Sequence, residues 1–126
     1  MKIVDANVIL RYLLDDVKEL ADKATEVIEK ETIHVLNEVL AEVIYVLEGV
    51  YELNRDEIKD VILEFAKFET VVLEDEELII EALRKYSEIK LDFVDCLLYV
   101  YAKNNDDKVY TFDKKLNREI DSLKTR

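Results

Sequence analysis

Residues 2–11 read KIVDANVILR, and this stretch decides the fold that the sequence predicts. Ile3 and Val4 form a short apolar run with β-branched side chains, Asp5 ends it, and from Asn7 onward apolar residues recur at helical spacing. The pattern predicts a strand that ends in a carboxylate where a helix begins. In an open parallel α/β sheet, ligands bind at the carboxyl ends of the strands, so an acid at this point faces the cleft. The alternative is that Asp5 or Asn7 only caps the helix, since both residue types are favoured there.

The composition fits one globular domain over residues 1–126. The chain has 126 residues, of which 50% are hydrophobic, so it can bury a single core. No apolar run approaches the ~20 residues of a membrane span, and the N-terminus lacks the pattern of a signal peptide. The single cysteine, Cys96, cannot form an internal disulfide, and its apolar neighbours favour a buried thiol. We therefore expect a cytoplasmic protein that does not enter a membrane.

The formal net charge of −12 argues against broad electrostatic binding of nucleic acid, which depends on Lys and Arg neutralising phosphates. Three arrangements of the acids remain open. They gather where a divalent cation reverses the local charge, a basic partner covers them, or they form a solvated acidic surface. Most of the 30 Asp and Glu residues belong to such a surface.

The rest of the chain alternates between short β-branched segments and longer helical patterns. The β-branched segments predict strands at residues 2–5, 32–35, 70–73 and 109–112. Helical spacing predicts helices at residues 7–15, 17–31, 36–50 and 54–68, and three more that begin near residues 74, 92 and 114. Asn54, followed three residues later by Glu57, resembles a capping box. Strands separated by helical crossovers predict a parallel sheet with helices on both faces.

Three further carboxylates stand in contexts that are unusual for solvated acids. Glu42 lies in a helix that is apolar nearly all round, where an unpaired charge is costly. Asp95 also has apolar neighbours on both sides, and Asp113 directly follows a predicted strand, as Asp5 does. Each has a purely structural alternative. Asp95 can stabilise the first turn of a helix that Asp92 caps, and Asp113 can itself be an N-cap.

The four acids in these contexts are Asp5, Glu42, Asp95 and Asp113. Brought to one point, they would repel one another unless a cation lay between them. Ligation by oxygen alone favours Mg²⁺ or Mn²⁺ over zinc, and such a site polarises a phosphodiester and activates water for in-line attack. The chain has no Gly-rich phosphate loop and one histidine, His34, so P-loop hydrolysis and His-based nucleophilic catalysis both lack essential parts.

Four segments resemble the motifs of the PIN domain, and specifically those of the VapC-type toxin ribonucleases. They are IVDANVILRYLL at residues 3–14, VLAEVIYVL at 39–47, LDFVDCLLYVYA at 91–102 and VYTFDKKL at 109–116. The segments follow the order of the family at about its spacing and span nearly the whole chain. The resemblance implies a three-layer α/β/α sandwich with a parallel sheet of four or five strands in the order 3-2-1-4-5.

The resemblance also implies roles for individual residues. By this resemblance, the catalytic metal ligands are Asp5, Glu42, Asp95 and Asp113. Asn7 becomes a contact to the substrate or to the metal ligands. Arg11, Lys114 and Lys115 are candidate contacts to RNA phosphates, with surface charge or an ion pair as the alternative for each. Many relatives carry a further acid at the position of Lys115, which argues against a second metal ion in this chain.

Members of this family are typically endoribonucleases that depend on Mg²⁺ or Mn²⁺. They are usually homodimers, and a cognate antitoxin silences them by docking a peptide over the active-site groove. The resemblance therefore implies the toxin of a type II toxin–antitoxin system, with RNA as substrate and a VapB-like antitoxin as partner. A basic antitoxin segment would suit the acidic charge of this chain.

Two other classes of function remain as alternatives. A catalytically idle PIN scaffold would bind RNA or a protein without cleaving it, and the intact set of four acids favours the enzyme over this scaffold. A phosphatase or receiver-like α/β domain is the weaker alternative. A phosphatase of this kind would have two acids around the end of the first strand, where this chain has Asp5 and Asn7.

Overall fold

The structure is a computed structural model that describes residues 1–14 and 17–124. Its elements in chain order are α1 (Ala6–Leu14), α2 (Lys18–Lys30), β1 (Ile33–Val35), α3 (Asn37–Gly49), α4 (Arg55–Ala66), β2 (Val71–Leu73), α5 (Glu76–Glu88), α6 (Phe93–Asn105) and α7 (Lys114–Leu123). The chain divides into two compact units, Met1–Glu76 (unit 1) and Glu77–Arg126 (unit 2). The predicted end of the first helix at residue 15 lies outside the described residues. In the described part of the chain, no helix is both long and apolar enough to span a bilayer.

Unit 1 contains a small parallel sheet. His34, at the centre of β1, lies opposite Val72 of β2. On its other side His34 forms an isolated parallel bridge to Ile3, and its backbone N–H donates to the carbonyl oxygen of Lys2 at 2.7 Å. The first three predicted β segments therefore lie in the predicted order 3-2-1. The first supplies a bridge and not a strand, because α1 begins at Ala6 and leaves only a short extended segment before it.

The fourth predicted strand, residues 109–112, has neither strand nor bridge in the structure. A strand needs a second extended segment to pair with, and the described elements of unit 2 are all helices. Local side chains bind the backbone instead. The Asn117 amide donates to the Thr111 carbonyl oxygen at 2.8 Å, and the Asp113 N–H donates to the Thr111 hydroxyl at 3.0 Å. The predicted sheet of four or five strands is not confirmed, and the single domain over residues 1–126 stays a prediction.

The sheet of unit 1 has one buried face. Side chains alternate between faces along a strand, and the buried ones are Val4, Ile33, Val35, Val71 and Leu73. The other face carries Ile3 and Val72, which are exposed, and the half-buried His34. Helix α1 packs on α2 and α3, α3 packs on α4, and α4 contacts β2, so the start of α1 is held beside α3.

Helix α4 starts as the sequence predicts. The Asn54 side chain accepts a hydrogen bond from the Glu57 N–H at 2.8 Å, and the Glu57 carboxylate accepts one from the Asn54 N–H at 3.1 Å. Two backbone donors at the helix start are thereby satisfied reciprocally. The predicted capping box is confirmed.

The three helices of unit 2 are joined around one lysine. Lys85 of α5 forms an ion pair with Glu119 of α7 at 2.7 Å, and its ammonium nitrogen lies 4.3 Å from the ring centroid of Tyr99 on α6. Helices α6 and α7 also pack directly against each other. The starts of these two helices, with Asp95 and Asp113, therefore belong to one packed body.

Candidate functional site

Asp5 lies where the sequence places it, between the bridge at Ile3 and the start of α1. Its Oδ1 accepts a hydrogen bond from the Val8 N–H at 3.0 Å. Asp5 therefore caps α1, as its structural alternative predicted. The cap uses one of the two carboxylate oxygens and the residue is exposed, so capping is compatible with ligation of a cation.

Asp113 has the same local arrangement at the start of α7. Its Oδ1 accepts a hydrogen bond from the Leu116 N–H at 2.8 Å, and the residue is exposed. The partial positive charge of a helix N-terminus stabilises a carboxylate at this position. The local structure thus explains the residue type at Asp113 without a ligand and leaves one carboxylate oxygen outside the cap.

Asp95 is half-buried in the first turn of α6. Burial raises the pKa of its carboxyl group above the ordinary value, and the negative charges of Asp113 and Asp92 raise it further. Asp92 occupies the N-cap position of α6, but its side chain makes no capping hydrogen bond. Within unit 2 the structure therefore brings Asp95 and Asp113 into electrostatic reach of each other.

Glu42 is exposed, so the prediction of a carboxylate surrounded by apolar neighbours is wrong. An α-helix turns about 100° per residue, and the buried side chains of α3 occupy one narrow stripe. They are Leu40, Val43, Ile44 and Leu47. Glu42 lies on the opposite side of the helix from this stripe, because it is offset from each of these residues by more than a quarter turn. The exposure removes the desolvation cost that the sequence argument assumed.

Glu42 instead lines a pocket of about 290 Å³ in unit 1, together with Asn7 and Arg11 of α1. Three of the predicted site residues therefore share one concave surface. Asn7 and Arg11 stand one turn apart on α1, and Glu42 faces them from α3. Among the described residues that line the pocket, Asp5 does not appear.

The same pocket contains an aromatic residue that sequence reasoning missed. Tyr51 follows the end of α3 and lines the pocket beside Val46 and Val50. No motif marks this position. The signal that could have found it is an aromatic residue just past a helix end, two positions after the single glycine, Gly49.

The predicted donor set suits a divalent cation by its chemistry. Within neither unit do the described residues form a group of three or more His, Cys, Asp or Glu side chains that could hold a metal ion. The four acids nevertheless offer only carboxylate oxygens, the ligands that Mg²⁺ and Mn²⁺ prefer. The crowding of Asp95 by Asp113 and Asp92 is the kind of repulsion that a bound cation relieves.

Comparison with known proteins identifies the family. The family model of the PIN domain matches residues 2–119 of the chain. A VapC ribonuclease from Aquifex aeolicus (strain VF5) is 31% identical over 123 residues, which cover 94% of this chain and 91% of that relative. No solved structure gives a significant match. The chain belongs to the PIN-domain family, and a VapC ribonuclease is among its relatives.

Proposed function

We propose that this protein is a metal-dependent endoribonuclease and the toxin of a type II toxin–antitoxin system. The observation that carries the proposal is the similarity to a VapC ribonuclease over 94% of the chain. The proposal includes hydrolysis of RNA phosphodiester bonds, a cytoplasmic location, a homodimer and a VapB-like antitoxin as partner. The net charge of −12 supports an antitoxin that binds through a basic segment, because opposite charges steer association.

The proposed ligands of Mg²⁺ or Mn²⁺ are the four acids Asp5, Glu42, Asp95 and Asp113. When bound, such a cation polarises the phosphodiester group and promotes attack by water. The helix caps made by Asp5 and Asp113 fix the rotamers of both carboxylates before any ligand arrives. Lys115 occupies the position where many relatives have a further acid, so we propose one cation and not two. The three-layer sandwich with four or five strands in the order 3-2-1-4-5 is part of the same proposal.

Substrate contacts are proposed for Asn7 and Arg11. Both line the pocket that Glu42 lines, so they stand beside one of the proposed ligands. A guanidinium group binds phosphate oxygens through two parallel hydrogen bonds, and a side-chain amide can donate or accept. Lys114 and Lys115, at the start of α7 next to Asp113, are proposed as further phosphate contacts.

The proposal is tested by RNA cleavage with matched variants on α3. Glu42→Gln should reduce the cleavage rate by at least about a hundredfold, since even the neighbours of metal ligands often cost 10- to 100-fold when they are changed. Glu38→Gln makes the same change one turn earlier on the same helix and should leave the rate unchanged. Asp5→Asn should also abolish cleavage while α1 keeps its cap, because Asn caps helices as well as Asp. Equal cleavage by the wild type and all three variants would indicate a contaminating nuclease.

A second measurement separates the enzyme from an idle scaffold. Millimolar Mg²⁺ or Mn²⁺ should raise the thermal midpoint of the wild type, because a ligand that binds only the folded state stabilises it. The shift should be lost in Asp95→Asn and retained in the surface variant Asp22→Asn. No shift in the wild type would contradict the metal site. A normal shift with no cleavage of any RNA would favour the catalytically idle scaffold.

A further inference from the structure

Helix α3 begins without a capping side chain of its own. Leu36 occupies the N-cap position, and its apolar side chain makes no capping hydrogen bond. The next residue, Asn37, does not replace it, because its Oδ1 is buried and has no hydrogen-bond partner in the described part of the chain. The first backbone N–H groups of a helix have no partner within the helix. The local sequence therefore leaves the start of α3 without the acceptor that a cap supplies.

Glu74, the residue after β2, supplies that acceptor. Its Oε1 accepts a hydrogen bond from the Asn37 N–H at 2.8 Å. Its backbone also extends the pairing of β2 with β1, since the Glu74 N–H donates to the Val35 carbonyl oxygen at 3.0 Å. A carboxylate in this place complements the partial positive charge of the helix N-terminus. Two hydrogen bonds of one residue thus fasten the start of α3 to the sheet.

The far end of α3 is held by other contacts. Glu48 forms an ion pair with Arg55 of α4 at 3.2 Å. The Leu53 N–H donates to the Leu47 carbonyl oxygen at 3.1 Å. Loss of the Glu74 carboxylate should therefore loosen the first turn of α3 and leave the rest of the helix in place.

The first turn of α3 matters for the proposed metal site because Glu42 lies close to it. In an α-helix each backbone N–H donates to the carbonyl oxygen four residues earlier, so the backbone of Glu42 is held by that of Glu38 in the first turn. A residue of a functional site has to stay within about 0.5 Å of its productive position. We propose that Glu74 is a positioning residue that caps α3 from the end of β2 and so holds Glu42 in place. The inference rests on the proposed metal-dependent function, in which Glu42 is a ligand.

The experiment uses substitutions of Glu74 that separate the reach of the side chain from its charge. Glu74→Gln keeps an oxygen acceptor at the same distance along the side chain and removes the charge. Glu74→Asp keeps the charge on a side chain one methylene group shorter, which carries its oxygens away from the Asn37 N–H. Glu74→Ala removes both. Glu69→Ala removes an exposed acid ahead of β2 and is the matched control for the loss of one charge.

Amide hydrogen exchange, measured by NMR on the full chain in a chelator, reports on the helix without any metal. In Glu74→Ala and Glu74→Asp the amides of residues 40–42, whose acceptors lie at residues 36–38, should exchange about tenfold faster than in the wild type. Glu74→Gln and Glu69→Ala should keep wild-type rates. The Ile58 amide lies in the first turn of α4, which Asn54 caps, and its rate should not change in any variant.

Three results of the exchange measurement would overturn the proposal. They are wild-type rates in Glu74→Ala, faster exchange that includes Ile58, and slow exchange in Glu74→Asp with fast exchange in Glu74→Gln. The last result would mean that charge, and not the hydrogen bond to Asn37, holds the helix start. The contrast between Glu74→Gln and Glu74→Asp decides the question even if Glu74→Ala does not fold.

Metal binding shows whether the cap acts through Glu42. The dissociation constant for Mn²⁺, measured by calorimetry, should rise about tenfold in Glu74→Asp and Glu74→Ala, as it does when groups that orient metal ligands are changed. Glu74→Gln should restore the wild-type constant.

The outcomes keep this inference apart from the proposed function. Equal Mn²⁺ affinity and equal RNA cleavage in the wild type and all Glu74 variants would leave the enzyme and overturn the positioning role. A wild type that binds no Mn²⁺, with the exchange rates of α3 changed as expected, would leave Glu74 as the cap of α3. That result would contradict the proposed metal site, and the positioning role would fall with it.

Discussion

The middle of α3 and the first turn of α6 each carry a carboxylate with apolar neighbours in the sequence, but the two side chains have different surroundings. Glu42 of α3 is exposed and lines an open pocket. Asp95 of α6 is half-buried, and its pKa is raised by burial and by the charges of Asp113 and Asp92. The adjacent residues in the sequence therefore do not decide whether an acid on a helix is covered.

The residues three and four positions away decide it, because these are the neighbours on a helix surface. For Glu42 they include Glu38 and Tyr45, which are both exposed. For Asp95 they include Tyr99, which is buried and lies under the ammonium group of Lys85. Because Tyr99 is buried one turn after Asp95, the buried face of α6 extends as far as Asp95. On α3 the covered stripe stays narrow.

The largest expected effect on stability comes from truncating Tyr99, the buried residue one turn after Asp95 on α6. Tyr99 is 4% exposed, whereas Tyr45, in the comparable place on α3, is 76% exposed. Tyr99→Ala should lower the free energy of unfolding by about 3 kcal/mol, as other large-to-small changes of buried aromatic residues do. Tyr45→Ala should change it by less than about 0.5 kcal/mol. Urea unfolding measures both, and similar losses for the two variants would contradict the difference between the helices.

A smaller effect is expected from the lysine that lies over Tyr99. The Lys85 side chain is 15% exposed in its ion pair with Glu119, whereas that of Lys30 is 70% exposed in its pair with Glu26. Lys85→Met should cost about 1 to 2 kcal/mol, because it keeps the apolar stem but leaves the carboxylate of Glu119 partly buried without its partner. Lys30→Met should cost less than about 0.5 kcal/mol. Thermal unfolding at constant ionic strength compares the two variants.

The pH dependence of the Lys85 contribution has a definite sign. Burial lowers the pKa of Lys85, but the hydrogen bond with Glu119 and the negative charges near it outweigh burial, so the pKa is raised overall. Stability from such a group is fully present below the unfolded pKa of about 10.4 and is lost as the pH rises through the folded pKa. From neutral pH upward, the difference in stability between wild type and Lys85→Met should therefore shrink only in strongly alkaline solution. A difference that shrinks near neutral pH would contradict this assignment.

These contrasts show which features could be read from the sequence. The capping box of Asn54 and Glu57 was predictable because both partners lie within one turn of the same helix. The caps made by Asp5 and Asp113 follow from local sequence for the same reason. Local hydrogen bonds need no knowledge of the tertiary structure.

Features that depend on distant partners were not predictable in the same way. Residues 109–112 have strand-like composition, but a strand also requires a pairing partner that composition does not reveal. The apolar run around Glu42 suggests a covered side chain, whereas the helical period of the buried residues places Glu42 on the exposed side of α3. The pocket with Tyr51 depends on the packing of α1 against α3, which no single segment encodes.

Neutralising Asp95 or Glu42 should change stability less than the substitutions above, and the change for Asp95 should be a gain. In the absence of metal, Asp95→Asn should raise the free energy of unfolding at neutral pH by about 0.5 to 1 kcal/mol, because it removes a half-buried charge that Asp113 and Asp92 repel. Glu42→Gln should leave it unchanged within about 0.5 kcal/mol, since the side chain is exposed. Thermal unfolding in a chelator measures both. A lower midpoint for Asp95→Asn would show that its charge is already compensated in the folded protein.

The smallest effect is expected where the two helices end. A left-handed residue with φ of 55° follows the end of each, Glu52 after α3 and Asp106 after α6. A side chain is strained in this region, and Asp tolerates it better than Glu because its short polar side chain can bond locally. Glu52→Gly should therefore raise the free energy of unfolding by about 0.5 kcal/mol, after the larger chain entropy of Gly is subtracted, and Asp106→Gly should raise it by less. Urea unfolding measures both variants, and a lower free energy of unfolding for Glu52→Gly than for the wild type would show that the hydrogen bonds at the end of α3 hold this conformation without strain.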